Sequence, residues 1–215
     1  MTTYDDYVSQ NTRAYDAAAS EYSERTQDYA KRDIDLLKPF FTKLPQGGSV
    51  LELGPGSGLG LKILEDRGFQ TTAIDISANM LDVSALASPA SKLLQGDFLA
   101  YDFGEMRFDG VIAKAFFHCF PKVDALRAIN KARTLLEDDG LLFLATSVHE
   151  EPSEGFEEKS DYSNAPVRFR KRWTDRELLE VFSEGWVILD KNYNSERGKN
   201  WLALTVRKTK DAEVR

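Results

Sequence analysis

The sequence predicts an α/β fold in which a mainly parallel sheet is covered by helices on both faces. From residue 49 onward, short apolar segments alternate with segments of helical periodicity, and this alternation is typical of parallel sheets. The last two apolar segments have only a short polar link between them. We expect these two strands to pair antiparallel, because a parallel crossover needs about a dozen residues or more.

The individual elements follow from this alternation and from the turn residues between them. Pro45 and the glycines after it end the second of two leading helices, Ser77 is placed to cap the helix after the second strand, and Pro89 stops that helix. A turn is expected at Asp139-Gly140, before the most apolar strand. Helices are predicted at 11–22, 32–44, 59–67, 78–86, 122–137 and 175–182, and strands at 49–53, 70–75, 91–97, 108–113, 141–146, 186–190 and 201–206.

Composition and charge limit the classes of function. The 215 residues carry 28 Lys and Arg against 35 Asp and Glu, a net charge of −7, which disfavours nucleic acid as the main partner because phosphate binding calls for a basic face. No apolar run approaches the ~20 residues of a membrane helix, and the first residues do not resemble a secretory leader. The single Cys119 excludes an intramolecular disulfide and a cysteine-based zinc site. We therefore expect a cytoplasmic protein with no membrane partner and no metal site.

The chain is expected to form one main domain with a small addition. Residues 1–46 look helical and polar and are predicted to form a cap or lid on a domain of residues 47–215. Within that domain, the polar segment 147–172 is long for a structureless connection, and loops of this length are usually functional. We expect it to shape a pocket as a lid.

A glycine-rich turn follows the first predicted strand. In Glu52-Leu-Gly-Pro-Gly-Ser-Gly-Leu-Gly, Gly54 and Gly56 let the backbone turn sharply and approach a ligand without a Cβ in the way. Dinucleotide sites use the spacing G-x-G-x-x-G, whose third glycine would fall on Leu59. The Glu52 carboxylate would repel a pyrophosphate, but it suits a ligand with an ammonium or sulfonium group. An NAD-dependent oxidoreductase is therefore disfavoured.

Acidic residues end the next two predicted strands, at the same edge of the sheet as the glycine turn. Asp75 is placed where a carboxylate can accept hydrogen bonds from both hydroxyls of a ribose. Asp97 can accept from an exocyclic adenine amine, and the neighbouring Phe98 can pack on a flat base. Met80 is either a polarisable contact to the other face of that base or an ordinary core residue.

These motifs stand in the order found in the class I S-adenosylmethionine-dependent methyltransferases. Glu52-x-Gly54-x-Gly56-x-Gly58, Asp75, Gly96-Asp97-Phe98 and the strand at 108–113 resemble that family over residues 48–147, and the first helix is similar to the leading helix of its small-molecule branch. The resemblance implies a Rossmann-like, doubly wound, seven-stranded sheet of order 3-2-1-4-5-7-6 with strand 7 antiparallel. It also implies S-adenosyl-L-methionine as the cofactor.

The resemblance assigns the cofactor contacts residue by residue. It implies Glu52, Gly54, Pro55 and Gly56 at the methionine part, with the backbone of Ala113 and Lys114 accepting from the amino group and Tyr22 reaching in from the first helix. It implies Asp75 at the ribose, and Ile76, Met80, Asp97 and Phe98 at adenine.

The loop after the fourth predicted strand carries the candidate general base. His118 lies there, beside the expected methyl group, and is either a base for the acceptor or a packed histidine in an aromatic turn. His149 is the weaker candidate. The loop departs from the family pattern, since Lys114 and a run of phenylalanines replace a small residue and a shorter turn. A neutral amine or hydroxyl acceptor must lose a proton, whereas a carboxylate or thiolate need not.

The segment 147–172 is acidic in its first half and basic in its second half, which contains Arg168, Arg170, Lys171 and Arg172. The two halves either pair with each other or leave the basic residues facing the pocket, where they would favour an anionic acceptor. The sequence as a whole predicts transfer of a methyl group by in-line displacement to an O, N or S atom of a small molecule. The alternatives are a protein or tRNA methyltransferase and a non-catalytic S-adenosylmethionine- or nucleotide-binding protein.

Overall fold

The computed structural model describes residues 3–26, 30–158, 163, 166–196 and 198–209. Its helices are α1 (Tyr4–Thr26), α2 (Ala30–Phe41), α3 (Leu59–Glu65), α4 (Ala78–Ala87), α5 (Lys122–Thr134) and α6 (Asp175–Val181), with a short 3-10 helix at Phe117–Cys119. Its strands are β1 (Ser49–Leu53), β2 (Gln70–Asp75), β3 (Lys92–Gln95), β4 (Phe108–Lys114), β5 (Leu136–Val148), β6 (Ser153–Glu158), β7 (Val167–Arg172), β8 (Trp186–Glu196) and β9 (Lys199–Lys208).

Seven of these strands form one sheet in the order β3-β2-β1-β4-β5-β9-β8. Strands β1 to β5 are parallel, and β9 runs antiparallel to both of its neighbours. When the separate hairpin β6–β7 is set aside, β8 and β9 are the sixth and seventh strands of the sheet. The expected order and the antiparallel seventh strand are therefore confirmed.

Both faces of the sheet are buried, as the alternation of strands and helices predicts. Alternate strand residues point to opposite faces, and the pairs Val50/Leu51, Ile112/Val111 and Phe143/Leu142 accordingly divide between two apolar clusters. The first cluster includes Leu37 and Phe40 of α2 and Ile63 and Leu64 of α3, and the second includes Ala125 and Ile129 of α5. These two layers hold the carboxyl ends of β1, β2 and β4 side by side at one edge.

The segment before β5 differs from its prediction. We expected a helix to about residue 137 and a turn at Asp139-Gly140, but α5 ends at Thr134 and β5 already begins at Leu136. Asp139 takes a left-handed conformation with φ 62°, and the pairing of β4 with β5 shifts register between Phe108 and Gly110. The left-handed residue is therefore part of an irregular strand and does not end the element.

The polar segment 147–172 contains a two-stranded hairpin that the sequence analysis did not predict. Strands β6 and β7 pair from Ser153 with Arg172 to Glu158 with Val167. Helix α1 lies against β7, since the Gln10 amide donates to the Val167 carbonyl at 2.8 Å. The hairpin and the first helix thus form a joint cover beside the sheet edge. Among the described helices, none combines the length and apolar character needed to cross a membrane.

Candidate functional site

A cavity of about 290 Å³ opens at the carboxyl ends of β1, β2 and β4. Its walls come from this sheet edge, from α1 and α2, from the loop after β4, and from β7. The cavity is lined by nearly all the residues predicted from the sequence: Tyr22, Glu52, Gly54, Pro55, Gly56, Asp75, Ile76, Met80, Asp97, Phe98, Lys114 and His118. Ala113 is the exception, because its side chain is packed in the core of the sheet.

The glycine turn forms the floor of the cavity. Gly54 and Gly56 have φ values of 64° and 59°, a region that residues with a Cβ rarely adopt. A Cβ on Gly54 would lie 3.0 Å from the Phe116 ring, and one on Gly56 would lie 2.9 Å from the Tyr22 ring. The glycines therefore allow the Phe116 and Tyr22 rings to pack directly against the turn.

Glu52 is a buried carboxylate at the base of this turn. The side chain is 3% exposed, accepts from the Leu61 backbone N–H, and packs so closely that a Cβ on Gly60 would lie 2.5 Å from it. Its Oε2 atom has no hydrogen-bond partner among the described residues. Burial raises the pKa of Glu52 to about 8, and the nearby Lys114 ammonium opposes that rise.

Helix α2 brings an ion-pair cluster to the same end of the cavity, which the sequence analysis missed. The Asp33 carboxylate is 1% exposed and accepts from Arg32 at 2.7 and 2.9 Å and from Lys114. The side chain of Lys114 therefore reaches α2, whereas the resemblance implied a role for its backbone. Asp33 shares a helix face with the buried Leu37 and Phe40, and a carboxylate on such an apolar face is the sequence signal that could have identified it.

Asp75 lies opposite the glycine turn, at the end of β2. Its carboxylate accepts from the Ser77 backbone N–H at 2.9 Å, and a Cβ on Gly54 would lie 4.0 Å from its Oδ2. Burial raises the pKa of Asp75 to about 6, against the lowering effect of two backbone N–H donors. Ser77 also caps α4 by accepting from the Met80 N–H at 3.1 Å, which sets the buried Met80 at the cavity wall.

Asp97 and Phe98 stand at the end of β3, as predicted, but Asp97 has a partner that the sequence did not reveal. The Tyr4 hydroxyl of α1 donates to Asp97 Oδ2, and the Leu99 N–H donates to Oδ1 at 3.0 Å. The Phe98 ring packs edge-on against Phe116 with centroids 5.8 Å apart. A ligand amine at Asp97 would therefore share the carboxylate with Tyr4.

His118 lies in the 3-10 helix of the loop after β4. Ala115, with φ 55°, turns the chain out of the strand, and the buried His118 ring then faces Thr146 of β5 with 3.4 Å between Nδ1 and the hydroxyl oxygen. His149 is placed differently, with its Nε2 atom 3.3 Å from the Ser147 hydroxyl. Of the two histidines, His118 alone lines the cavity.

The opposite wall is built from α1 and β7. Asn11 accepts from the Phe169 N–H at 2.8 Å and donates to the Cys119 carbonyl at 2.8 Å, so one side chain ties together three elements. Next to it, the Arg168 guanidinium donates to the Tyr15 hydroxyl at 3.0 Å, and that hydroxyl lies 3.2 Å from the Cys119 sulfur. Within the described part of the chain, no group of three or more His, Cys, Asp or Glu side chains could hold a metal ion.

A known protein family matches the part of the chain that forms this edge of the sheet. Residues 51–144 match the family model described as a methyltransferase domain. An uncharacterised methyltransferase of Mycobacterium bovis is 28% identical over 138 residues, which is 64% of this chain and 54% of that protein. One of Oceanobacillus iheyensis is 22% identical over 147 residues, or 68% and 63% of the two chains. The chain thus spans little more than half the length of the first of these relatives.

Solved structures share the fold over almost the whole chain. The Burkholderia thailandensis 1,6-didemethyltoxoflavin-N1-methyltransferase, with 1,6-didemethyltoxoflavin and S-adenosylhomocysteine bound, has a TM-score of 0.77 at 19% identity and covers 98% of this chain and 92% of its own. The N-methyltransferase NodS of Bradyrhizobium japonicum, in complex with S-adenosylhomocysteine, has a TM-score of 0.71 at 13% identity, covering 95% and 100%. At such identities the likeness concerns the fold.

Proposed function

Because this chain carries a methyltransferase domain of the class I fold, we propose that it transfers a methyl group from S-adenosyl-L-methionine to an O, N or S atom of a small molecule. The observation that carries this proposal is the convergence of Glu52, Asp75 and Asp97, from the ends of three strands, on one cavity. Each carboxylate matches a different part of the cofactor: a cationic centre, a ribose diol and an exocyclic amine.

The residues present fit this cofactor. Glu52 has an unpartnered buried oxygen, and a cationic ligand beside it would favour the ionised carboxylate, because a buried charge needs a partner. Gly54 and Gly56 give the turn its left-handed backbone and line the cavity without a side chain of their own. Asp75 would hold the ribose, and Met80 and Phe98 would flank the base. The cofactor supplies a methyl group on a sulfonium, whose sulfur leaves as a neutral thioether.

The chemistry left to the protein is positioning, exclusion of water and removal of a proton. Positioning alone can contribute roughly 7–11 kcal/mol to a two-substrate reaction. His118 is the proposed base, because it lines the cavity and its ring is held against the Thr146 hydroxyl. It would accept the proton of a hydroxyl or amine acceptor as the new bond to carbon forms.

The cover over the cavity favours a small acceptor. Helix α1 and strand β7 form the wall opposite the sheet edge and are joined by Asn11, so the space next to His118 is enclosed on that side. This enclosure supports a small molecule over a protein or tRNA acceptor. The small heterocycle named for the Burkholderia thailandensis relative is an acceptor of that size class. We further propose a reducing compartment such as the cytoplasm, since Cys119 is a free thiol.

Two experiments test the proposal in order. Calorimetric titration with S-adenosylhomocysteine and with NAD should show binding of the former alone, and tighter binding of NAD would overturn the cofactor assignment. Incubation with a methyl-labelled donor and an extract of small metabolites should then yield labelled small molecules. Binding of S-adenosylhomocysteine without any labelled product would favour a non-catalytic, cofactor-sensing protein.

A further inference from the structure

Strand β7 directs a pair of arginines into the cavity. In a strand, alternate residues point to the same side, and Arg168 and Arg170 are both cavity residues, whereas the intervening Phe169 packs against Tyr7 and Phe156. Arg168 is only 5% exposed, and 10% of the Arg170 side chain is exposed. Two guanidinium groups are therefore buried side by side at the wall that faces His118 and Cys119.

Their positive charge is poorly balanced by the protein. Arg168 donates to the neutral Tyr15 hydroxyl, and no carboxylate of the described residues lies within ion-pair distance of it. Arg170 donates to the Ser147 hydroxyl at 2.7 Å and lies 3.5 Å from Glu157, a carboxylate that Arg172 also binds at 2.8 Å. Glu157 also stands opposite Arg168 in the hairpin register, where its charge helps to raise the pKa of Arg168, although the two side chains form no ion pair. One carboxylate thus faces three arginines.

The hydrogen-bond donors of the two arginines indicate that a further hydrogen-bond acceptor binds between them. The Nε atoms of both Arg168 and Arg170 are buried without a hydrogen-bond partner in the described structure, although leaving a buried charged donor unpaired is costly. Burial and the neighbouring Arg168 charge both lower the pKa of Arg170. An oxyanion with two or more acceptor oxygens, such as a carboxylate or a phosphate-type group, can satisfy two guanidinium groups and cancel their mutual repulsion.

We propose that the methyl acceptor carries an oxyanion, a carboxylate or a phosphonate or phosphate group, and that Arg168 and Arg170 bind it. This inference rests on the methyl-transfer function proposed above and names the substrate class of the same site. The pairing of acidic and basic residues expected within the segment 147–172 holds for Arg170 and Arg172, while Arg168 and Arg170 face the cavity. Both alternatives left open by the sequence are thus realised in part.

The anion is the anchor, and the methyl group goes to another atom of the molecule. Hydrogen bonds from two guanidinium groups stabilise the lone pairs of an oxyanion and so reduce its ability to attack carbon. His118 lies in the 3-10 helix after β4, next to Cys119, whose sulfur contacts the same Tyr15 hydroxyl as Arg168. A nucleophilic hydroxyl or amine elsewhere on the anchored molecule would reach that histidine, lose its proton there, and accept the methyl as the carbon–sulfur bond breaks.

The test uses the intact protein loaded with S-adenosylhomocysteine and small probes of matched shape. Benzoate and phenylphosphonate are compared with the neutral benzamide by ligand-observed NMR titration. We expect at least one of the two anions to bind about tenfold or more tightly than benzamide. The tighter of the two anions distinguishes a carboxylate from a phosphonate or phosphate site. Equal affinities for anion and amide, or no binding of either anion, would overturn the inference.

Substitutions then locate the preference. Arg168→Gln should reduce anion affinity about tenfold or more and leave benzamide unchanged, whereas the matched control Arg172→Gln, on an exposed arginine outside the cavity, should keep the preference. If Arg168→Gln retained the preference for anions over benzamide, or if both variants lost it equally, an anion site formed by Arg168 and Arg170 would be contradicted. Should Arg168→Gln not fold, Arg170→Gln carries the same expectation.

Calorimetry with S-adenosylhomocysteine separates this inference from the function on which it rests. If the unmodified protein does not bind S-adenosylhomocysteine, the proposed function itself is wrong. If it binds S-adenosylhomocysteine but shows no preference for the anions, the function stands and only the acceptor class is wrong. Each variant should bind S-adenosylhomocysteine with unchanged affinity, which also confirms that it is folded.

Discussion

Replacement of Glu52 by glutamine should stabilise the free protein and weaken its binding of the cofactor. The glutamine side chain has nearly the same size and its oxygen can still accept from the Leu61 N–H, so the substitution removes the ability to ionise with little change in packing. A buried acid that serves to bind a cationic ligand destabilises the folded protein when that ligand is absent. The two effects therefore have opposite signs.

The size of the stability effect follows from the pKa of Glu52, which burial raises from 4.5 to about 8. Between those values the folded protein holds a proton that the unfolded chain has lost, so the free energy of unfolding falls by about 1.4 kcal/mol per pH unit. This contribution of Glu52 to stability is fully present below the pKa of the unfolded chain, 4.5, and it is lost as the pH rises through the pKa of the folded protein, about 8. Between pH 5 and pH 8 the loss amounts to roughly 3 kcal/mol.

Urea unfolding at several pH values in this range measures the effect. The stability difference between Glu52→Gln and the unmodified protein should grow with pH, and the exposed control Glu105→Gln should follow the unmodified protein. Parallel pH dependences for all three proteins would refute the buried-acid reasoning.

Calorimetry on the same proteins tests the link to the ligand. A cationic ligand lowers the pKa of Glu52, so binding of S-adenosylmethionine near pH 7 should release a proton and become tighter as the pH rises towards 8. Glu52→Gln should bind about tenfold or more weakly and show neither effect. Unchanged affinity in this variant would remove Glu52 from the cofactor site.

Three further substitutions test the remaining assignments. Asp75→Ala should weaken S-adenosylhomocysteine binding at least about tenfold by calorimetry, because a charge-assisted hydrogen bond is worth ~1.5–3 kcal/mol, while Asp82→Ala on the exposed side of α4 should not. His118→Ala should lower turnover of methyl-labelled donor with cofactor affinity intact, and full activity would exclude it as the base. Gly56→Ala should weaken cofactor binding and lower stability in thermal unfolding, since its φ of 59° and the Tyr22 ring leave no room for a Cβ. Affinity equal to that of the unmodified protein would contradict a cofactor contact at the glycine turn.

The sheet and its cofactor edge could be predicted from the sequence because their signals are local. The strand 49–53 and the strand 70–75 were placed with the bounds that β1 and β2 have, since apolar residues and turn residues stand next to each other in the chain. The proposed ligand contacts Gly54 and Asp75 could be placed at the cavity for the same reason, because they stand directly after a strand or at its last position. Ala113 is buried because it belongs to an apolar strand, and the strand was predicted from the same apolar character.

The cover could not be predicted, because its contacts join residues far apart in the chain. Tyr4 meets Asp97 across 93 positions and Asn11 meets Phe169 across 158, distances over which no periodicity carries information. Periodicity does show that something polar is buried: Asn11 falls on the helix face of Tyr7 and Ala14, which are both buried. A buried polar residue such as Asn11 indicates that a hydrogen-bond partner exists, but the sequence does not show which residue that partner is.

The division between local and distant signals has a consequence for specificity. The sheet edge carries the residues that we propose to bind the cofactor, Glu52, Asp75 and Asp97, at or near the ends of strands. The cover supplies further cavity residues, Arg168 and Arg170 on β7 and Tyr15 and Tyr22 on α1, and Asn11 joins the two elements. An acceptor held by β7 would therefore also hold α1 over the glycine turn, where Tyr22 contacts Gly56. Because binding energies coupled through one element are reciprocal, a bound acceptor and the cofactor should each strengthen the binding of the other.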